Sequence, residues 1–213
     1  MLASLDESGL FLNVAATCAE VRTLGPGRRF VVWVQGCPFH CAGCIAPDWT
    51  QDIPARQMTP QQLAEEILAA PGLDGITLSG GEPMMQPAPL AVALALVHAQ
   101  RDLPVICFTG FLLENLLREP RRTGVEDLLA QVDVLIDGPY VRERDDNHGL
   151  RGSNNQRIHY LTQRLAGCDL ENQPRRVEII LNRGHALVAG VPPQHFQQTF
   201  DRAVQKAQRW MRV

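Results

Sequence analysis

Four apolar runs of strand length alternate with helical patterns along this chain, and the alternation limits the folds that it can adopt. The runs cover residues 30–34, 75–78, 104–108 and 132–136. Continuous apolar runs are typical of parallel strands that are buried on both faces. The sequence therefore predicts an α/β fold with a mostly parallel sheet or partial barrel. The other predicted elements are helices over residues 59–72, 89–100, 111–118, 125–130 and 195–210, and strands over residues 14–23, 158–161 and 176–181.

Three of the six cysteines lie on one short loop directly after the first of these runs. Cys37 and Cys41 are separated by three residues, and Cys41 and Cys44 by two. Thiolates bind soft metals and iron–sulfur clusters. In a reducing cytoplasm, clustered cysteines are better explained as metal or redox ligands than as disulfides. Three cysteines on a four-iron cluster leave one iron without a protein ligand, and that iron can bind a small molecule.

A zinc site is the alternative explanation of the cysteine loop. Structural zinc normally takes four protein ligands, so a fourth side chain would have to come from elsewhere. The candidates are His40, Cys18, Cys107 and Cys168. The run Gly80-Gly81-Glu82-Pro83 favours a cluster, because paired glycines after a strand let the backbone approach a ligand closely. A tight strand-to-helix turn would explain the same glycines.

Unusual loops follow all four of the predicted parallel strands. They cover residues 37–44, 79–83, 109–110 and 137–138. In parallel α/β folds the functional loops lie at the carboxyl ends of the strands. We therefore expect these loops to form a single shared site.

Composition excludes some functions for a chain of this size. The net charge of −3 gives no overall basic signal for nucleic acid. The longest apolar run is too short to span a bilayer, and the first residues do not match a signal peptide. We expect a cytoplasmic protein that binds neither nucleic acid nor membranes, and its 213 residues are enough for one domain.

The motifs together resemble the radical S-adenosylmethionine (radical SAM) superfamily. More narrowly, they resemble the activating proteins of anaerobic ribonucleoside-triphosphate reductase. The resemblance implies a partial (β/α) barrel of the radical SAM type in a single domain over residues 1–213, with a family-like core over about residues 14–160. The matching segments follow the family's order, at residues 25–27, 34–37, 41–44, 78–83, 108–110, 134–138 and 151–156.

The resemblance also implies a role for each candidate site residue. Cys37, Cys41 and Cys44 would ligate a 4Fe-4S cluster, and S-adenosyl-L-methionine (SAM) would chelate the open iron. Gly80, Gly81 and Glu82, in the run that ends at Pro83, would hold the methionine amino group of SAM. Thr109 and Asp137 would lie close to SAM, and the mouth of the site would be lined by Arg151, Ser153, Asn155 and Gln156. Ordinary turns would explain Asp137-Gly138 and residues 151–153 equally well.

The implied reaction is reductive cleavage of SAM to a 5′-deoxyadenosyl radical, which abstracts a hydrogen atom. The hydrogen would come from a glycine of a partner glycyl-radical enzyme such as anaerobic ribonucleotide reductase. A one-electron donor such as flavodoxin or ferredoxin would supply the electron. Two alternatives stay open, namely a radical SAM enzyme that modifies a peptide or small metabolite directly, and a non-catalytic zinc or iron–sulfur protein.

The chain departs from many radical SAM proteins in one place and from the reductase activases in another. Gly43 precedes the last cysteine, where many radical SAM proteins have an aromatic residue, although the reductase activases have glycine there. An extension over about residues 165–213 is longer than those activases need. Its last helix carries an apolar stripe, which we expect to pack on the sheet; a partner-docking role is the alternative. The stripe consists of Phe196, Phe200, Ala203, Val204 and Ala207.

Overall fold

A computed structural model describes residues 9–118, 123–182 and 185–210 of the chain. The strands are β1 (Leu12–Val21), β2 (Arg29–Val34), β3 (Arg56–Met58), β4 (Gly75–Gly80), β5 (Val105–Phe108), β6 (Val134–Asp137), β7 (Arg157–Tyr160), β8 (Val177–Asn182) and β9 (His185–Gly190). The helices are α1 (Pro60–Ala69), α2 (Pro87–His98), α3 (Leu113–Arg118), α4 (Val125–Leu129) and α5 (Phe196–Trp210). None of the helices in these ranges is long and apolar enough to cross a membrane.

A seven-stranded sheet has the order β3-β1-β2-β4-β5-β6-β7. Its centre is parallel, because β2 pairs with β4, β4 with β5, and β5 with β6 in parallel register. The edge strands are antiparallel to their neighbours. The predicted α/β fold with a parallel centre is therefore confirmed, and the sheet is open, as a partial barrel requires. The sequence patterns did not predict β3 and β9, which pair with β1 and β8 respectively.

Helix α1 begins where the sequence predicts, because its first turn is capped on both sides. The Thr59 side chain accepts a hydrogen bond from the Gln62 N–H at 3.2 Å, and the Gln62 side chain accepts one from the Thr59 N–H at 2.9 Å. This reciprocal capping box satisfies backbone donors that have no partner within the helix. The helix then buries Leu63 and Ile67 against the sheet.

The two faces of the sheet are covered by different parts of the chain. In β2, Phe30 and Val32 point to the face covered by α1, α2 and α4, whereas Val31 and Trp33 point to the opposite face. We call these the helix face and the tail face. Residues after the seventh strand pack on the tail face, and the buried ones among them are Leu165, Leu170 and Ala189.

The extension packs through the β8–β9 hairpin and not through α5. Ile180 and Leu187 of the hairpin lie against the core of the tail face. In the described part of α5 no residue is buried, and Val204 is 38% exposed. The prediction that the apolar stripe of α5 packs on the sheet is therefore wrong for Phe196, Phe200, Ala203 and Val204; the side chain of Ala207 lies outside the described residues.

Candidate functional site

The cysteine loop, residues 37–44, leaves the carboxyl end of β2 and is held by the segment that follows it. The Gly36 N–H donates to the Trp49 carbonyl at 2.9 Å, and the Cys37 N–H donates to the Thr50 carbonyl at 3.0 Å. The side chain of Gln35 donates to the Gln51 carbonyl at 2.7 Å. These bonds close the chain between residues 35 and 51 into a compact loop at the end of the strand.

The three thiols of this loop are free, partly buried and close enough to influence one another. The pKa of the Cys37 thiol is raised to about 11, mainly because the thiol is buried, and negative charge on Cys41 or Cys44 adds to the shift. Three thiolates at this position would therefore repel one another. Iron ions at the thiols offset that repulsion, so the donor set fits an iron–sulfur cluster.

The space beside the thiols is large enough for a ligand. A cavity of about 330 Å³ opens at Cys41 and Cys44. It is also lined by Phe39, His40, Gly43, Pro47 and Thr50.

The described residues contain no set of ligands that would support the zinc alternative. Within residues 9–118, 123–182 and 185–210, no three His, Cys, Asp or Glu side chains converge where they could hold one metal ion. Cys107 lies in the core of the helix face, and Cys18 and Cys168 pack against the core of the tail face. A four-iron cluster differs from zinc here, because each thiolate binds a different iron and the sulfurs need not converge on one point.

The paired glycines at the end of β4 are required by contact with the end of β2 and with Gly36, which precedes the cysteine loop. The Gly81 N–H donates to the Val34 carbonyl at 2.7 Å. A Cβ added to Gly81 would lie 2.3 Å from the Gly36 carbonyl oxygen, and one added to Gly80 would lie 2.5 Å from the Val34 nitrogen. The close approach predicted for a ligand is therefore made by the chain's own backbone.

The structure joins Glu82 and Thr109, two residues predicted to contact SAM, to each other. Glu82 is 1% exposed, and its carboxylate accepts hydrogen bonds from the Thr109 hydroxyl at 2.7 Å, the Gly110 N–H at 2.7 Å and the Met84 N–H at 2.9 Å. Pro83, the remaining member of the predicted run, is buried at the start of the 3-10 turn Pro83–Met85. Glu82 therefore ties the loop after β4 to the loop after β5.

Asp137, also predicted to lie near SAM, is buried in a network of charges. Its carboxylate accepts hydrogen bonds from the Arg157 guanidinium and from the Leu113 N–H at 2.8 Å, and a ring nitrogen of His159 lies 3.1 Å away. Burial raises the pKa of Asp137, but the hydrogen bonds from Arg157 and Leu113 outweigh it, so the pKa is lowered overall. Arg157 also pairs with both carboxylate oxygens of Glu114.

The predicted mouth residues Arg151, Ser153 and Asn155 shape the loop that follows β6. Ser153 is buried and its hydroxyl accepts from the Val141 N–H at 3.1 Å, while Asn155 donates to the Pro139 carbonyl at 2.8 Å. Arg151 pairs with Asp146 at 3.0 Å. In the described residues, Arg151 Nε and Asn155 Oδ1 are buried without a hydrogen-bond partner.

The loop after β6 contacts the cysteine loop through Tyr140 and Arg142, which the sequence patterns did not identify as site residues. Burial raises the pKa of the Cys41 thiol, and a hydrogen bond from the Tyr140 backbone N–H opposes that rise. The guanidinium of Arg142 lies against Gly43. Arg142 belongs to a run of alternating charges, which in a sequence is typical of a solvated surface.

Comparisons with known proteins identify the family of the chain. The sequence model of the family described as "4Fe-4S single cluster domain" matches residues 23–159. The chain is 34% identical over 149 residues to the anaerobic ribonucleoside-triphosphate reductase-activating protein of Vibrio cholerae, covering 65% of this chain and 91% of that protein. It is 41% identical over 68 residues to the pyruvate formate-lyase-activating enzyme of Staphylococcus aureus, covering 29% of this chain and 27% of that enzyme. The crystal structure of QueE from Escherichia coli aligns with a TM-score of 0.43 and 14% identity, covering 51% of this chain and 57% of that chain.

Proposed function

The chain belongs to the 4Fe-4S single cluster domain family, and we propose that it is a radical SAM oxidoreductase that activates a partner glycyl-radical enzyme. Its cofactors are a 4Fe-4S cluster and SAM. The relatives are named as activators of anaerobic ribonucleoside-triphosphate reductase and of pyruvate formate-lyase. A glycyl-radical enzyme is accordingly the partner that we propose for this chain.

Cys37, Cys41 and Cys44 would hold the cluster, and the loops after β4, β5 and β6 would surround SAM. When bound, these cofactors supply a 5′-deoxyadenosyl radical that abstracts a hydrogen atom, here from a glycine of the partner. Glu82, Thr109 and Asp137 use their side chains to hold the loops together. At these three positions, contacts to SAM would therefore come from backbone groups. Side-chain contacts to SAM would come from Arg151 and Asn155 at the mouth of the site.

One observation carries the proposal more than any other. Three partly buried thiols lie on a loop that is fixed at the carboxyl end of a central parallel strand, with no convergent single-metal site in the described residues. Binding of a cluster would replace the thiol protons with iron and so stabilise three thiolates side by side on this loop. We further propose that the protein acts in the cytoplasm, where thiols stay reduced, and that flavodoxin or ferredoxin supplies the electron.

Anaerobic reconstitution tests this function. The purified chain is loaded with iron and sulfide, reduced with dithionite and incubated with SAM, and 5′-deoxyadenosine is measured. We expect about four irons per chain and release of 5′-deoxyadenosine. Cys41→Ala should lose both, whereas Cys168→Ala, a cysteine outside the loop, should keep both. Zinc at one ion per chain without 5′-deoxyadenosine would refute the proposal.

The partner is tested by adding candidate glycyl-radical enzymes to the reduced protein. Electron paramagnetic resonance should detect a glycyl radical on the correct partner, and its formation should depend on SAM. Release of 5′-deoxyadenosine without a radical on any such enzyme would instead favour direct modification of a peptide or small metabolite.

A further inference from the structure

The guanidinium of Arg142 lies against Gly43, within the cysteine loop. We propose that its positive charge raises the reduction potential of the bound cluster. This inference rests on the proposed function, because it needs a redox-active cluster at Cys37, Cys41 and Cys44. It assigns a role to a residue outside the predicted ligand and SAM-binding sets.

The guanidinium occupies the space where a side chain at position 43 would lie. A Cβ built on Gly43 would be 2.5 Å from Nη2, 2.6 Å from Nε and 2.9 Å from Cζ of Arg142. Gly43 also has a φ of +80°, which favours glycine over other residues. Glycine at this position therefore leaves room for the guanidinium against the backbone of the segment that joins Cys41 to Cys44.

The loop that carries Arg142 is fixed against the cysteine loop. The Tyr140 N–H donates a hydrogen bond to the Cys41 thiol, and the Val141 N–H donates to the buried Ser153 hydroxyl at 3.1 Å. The Asn154 N–H donates to the Arg144 carbonyl at 2.8 Å. The backbone on both sides of Arg142 is therefore held, and the guanidinium can stay on Gly43 without an ion-pair partner of its own.

Among the described residues, no ion pair with a carboxylate offsets the charge of Arg142. The ion pairs among the described residues involve other arginines and His159, and none includes Arg142. Reduction adds one negative charge to a cluster, so a nearby cation stabilises the reduced form more than the oxidised form. Arg142 is exposed, and solvent screening reduces this effect without reversing its sign.

The test is a redox titration of the reconstituted cluster, followed by electron paramagnetic resonance without SAM. Arg142→Gln removes the charge, Arg142→Lys keeps it, and Arg144→Gln removes the same charge from an exposed side chain two residues away. We expect a more negative midpoint potential in Arg142→Gln only. A potential equal to that of the wild type would overturn the inference.

Cluster content separates this inference from the proposed function. Wild-type protein that assembles no four-iron cluster refutes the function, whereas a loaded wild type with an unshifted Arg142→Gln refutes only the role of Arg142. If Arg142→Gln fails to bind a cluster and Arg142→Lys binds one, the charge is needed for assembly and the electrostatic role is supported. If both variants fail, the shape of the guanidinium matters and its charge does not, which overturns the inference.

Discussion

The carboxylate of Glu82 accepts a hydrogen bond from the hydroxyl of Thr109 at 2.7 Å, and this bond joins the loops that follow two neighbouring parallel strands. The same carboxylate accepts from the Gly110 N–H at 2.7 Å. Because Glu82 is 1% exposed, these bonds are made away from water, where an unsatisfied group is costly. The position of both loops therefore depends on Glu82 before any cofactor binds.

Glu82→Gln should destabilise the metal-free protein by about 2 kcal/mol. The amide keeps only one acceptor oxygen, so its NH₂ group would face a backbone N–H or the Thr109 hydroxyl. Urea unfolding of the metal-free chain gives the measurement. Glu65→Gln, on the exposed side of α1, should change the free energy of unfolding by less than about 0.5 kcal/mol. Equal stability of the two variants would contradict the tie between the loops.

Gly81→Ala should destabilise the metal-free protein by about 3 kcal/mol or prevent folding. The added methyl group would lie 2.3 Å from the Gly36 carbonyl oxygen, which belongs to the backbone and cannot move aside without displacing the cysteine loop. Gly167→Ala is the matched control, because nothing lies within 4 Å of its added Cβ. Thermal or urea unfolding compares the pair. If Gly81 served only the approach of a ligand, the metal-free stability would not change.

Asp137→Asn should weaken the protein by about 2 kcal/mol at pH 7, because the Arg157 guanidinium and the Leu113 N–H lose a charged acceptor. The folded pKa of Asp137 is lowered below its unfolded value of about 3.9. Its contribution to stability is therefore fully present above about pH 4 and is lost as the pH falls through the folded pKa. The difference in the free energy of unfolding between wild type and Asp137→Asn should therefore shrink between pH 4 and pH 3.

Urea unfolding at a series of pH values checks this dependence. Asp127→Asn, an exposed carboxylate in α4, should show no comparable pH-dependent difference. A difference that stays constant down to pH 3 would show that the charge of Asp137 does not contribute.

The central strands could be predicted because burial on both faces leaves a continuous apolar run in the sequence. The shared edge of the loops followed from the same rule, since parallel strands end on one side of a sheet. β3 could not be predicted in this way. Its residues Arg56–Met58 carry no apolar pattern, and it exists because β1 offers it a partner.

The roles of individual site residues depended on contacts that sequence patterns do not contain. Glu82 meets Gly110 across 28 residues, and Arg157 meets Glu114 across 43. The packing of Arg142 on Gly43 spans almost one hundred residues. Motifs identify the residue types of a site, but which polar atoms are already paired depends on the folded chain.

Deletion of residues 196–213 should leave a folded protein with nearly unchanged stability. The described part of α5 has no buried residue, and the Phe196 and Phe200 rings stack on each other, with centroids 5.8 Å apart. The hairpin before α5 remains in place, because Ala189 is 1% exposed and Thr23 donates to its carbonyl at 2.9 Å. Urea unfolding should show a change below about 1 kcal/mol.

Deletion of residues 177–213 is the contrasting variant, because it also removes the hairpin from the core of the tail face. Ile180, Leu187 and Ala189 would leave apolar surface of the sheet exposed, so this variant should unfold or aggregate. A large loss of stability in the shorter deletion would instead show that α5 packs on the protein. If the shorter deletion folds and cleaves SAM but no longer generates a radical on the partner, then α5 acts in docking, because neither the fold nor the cofactor chemistry needs it.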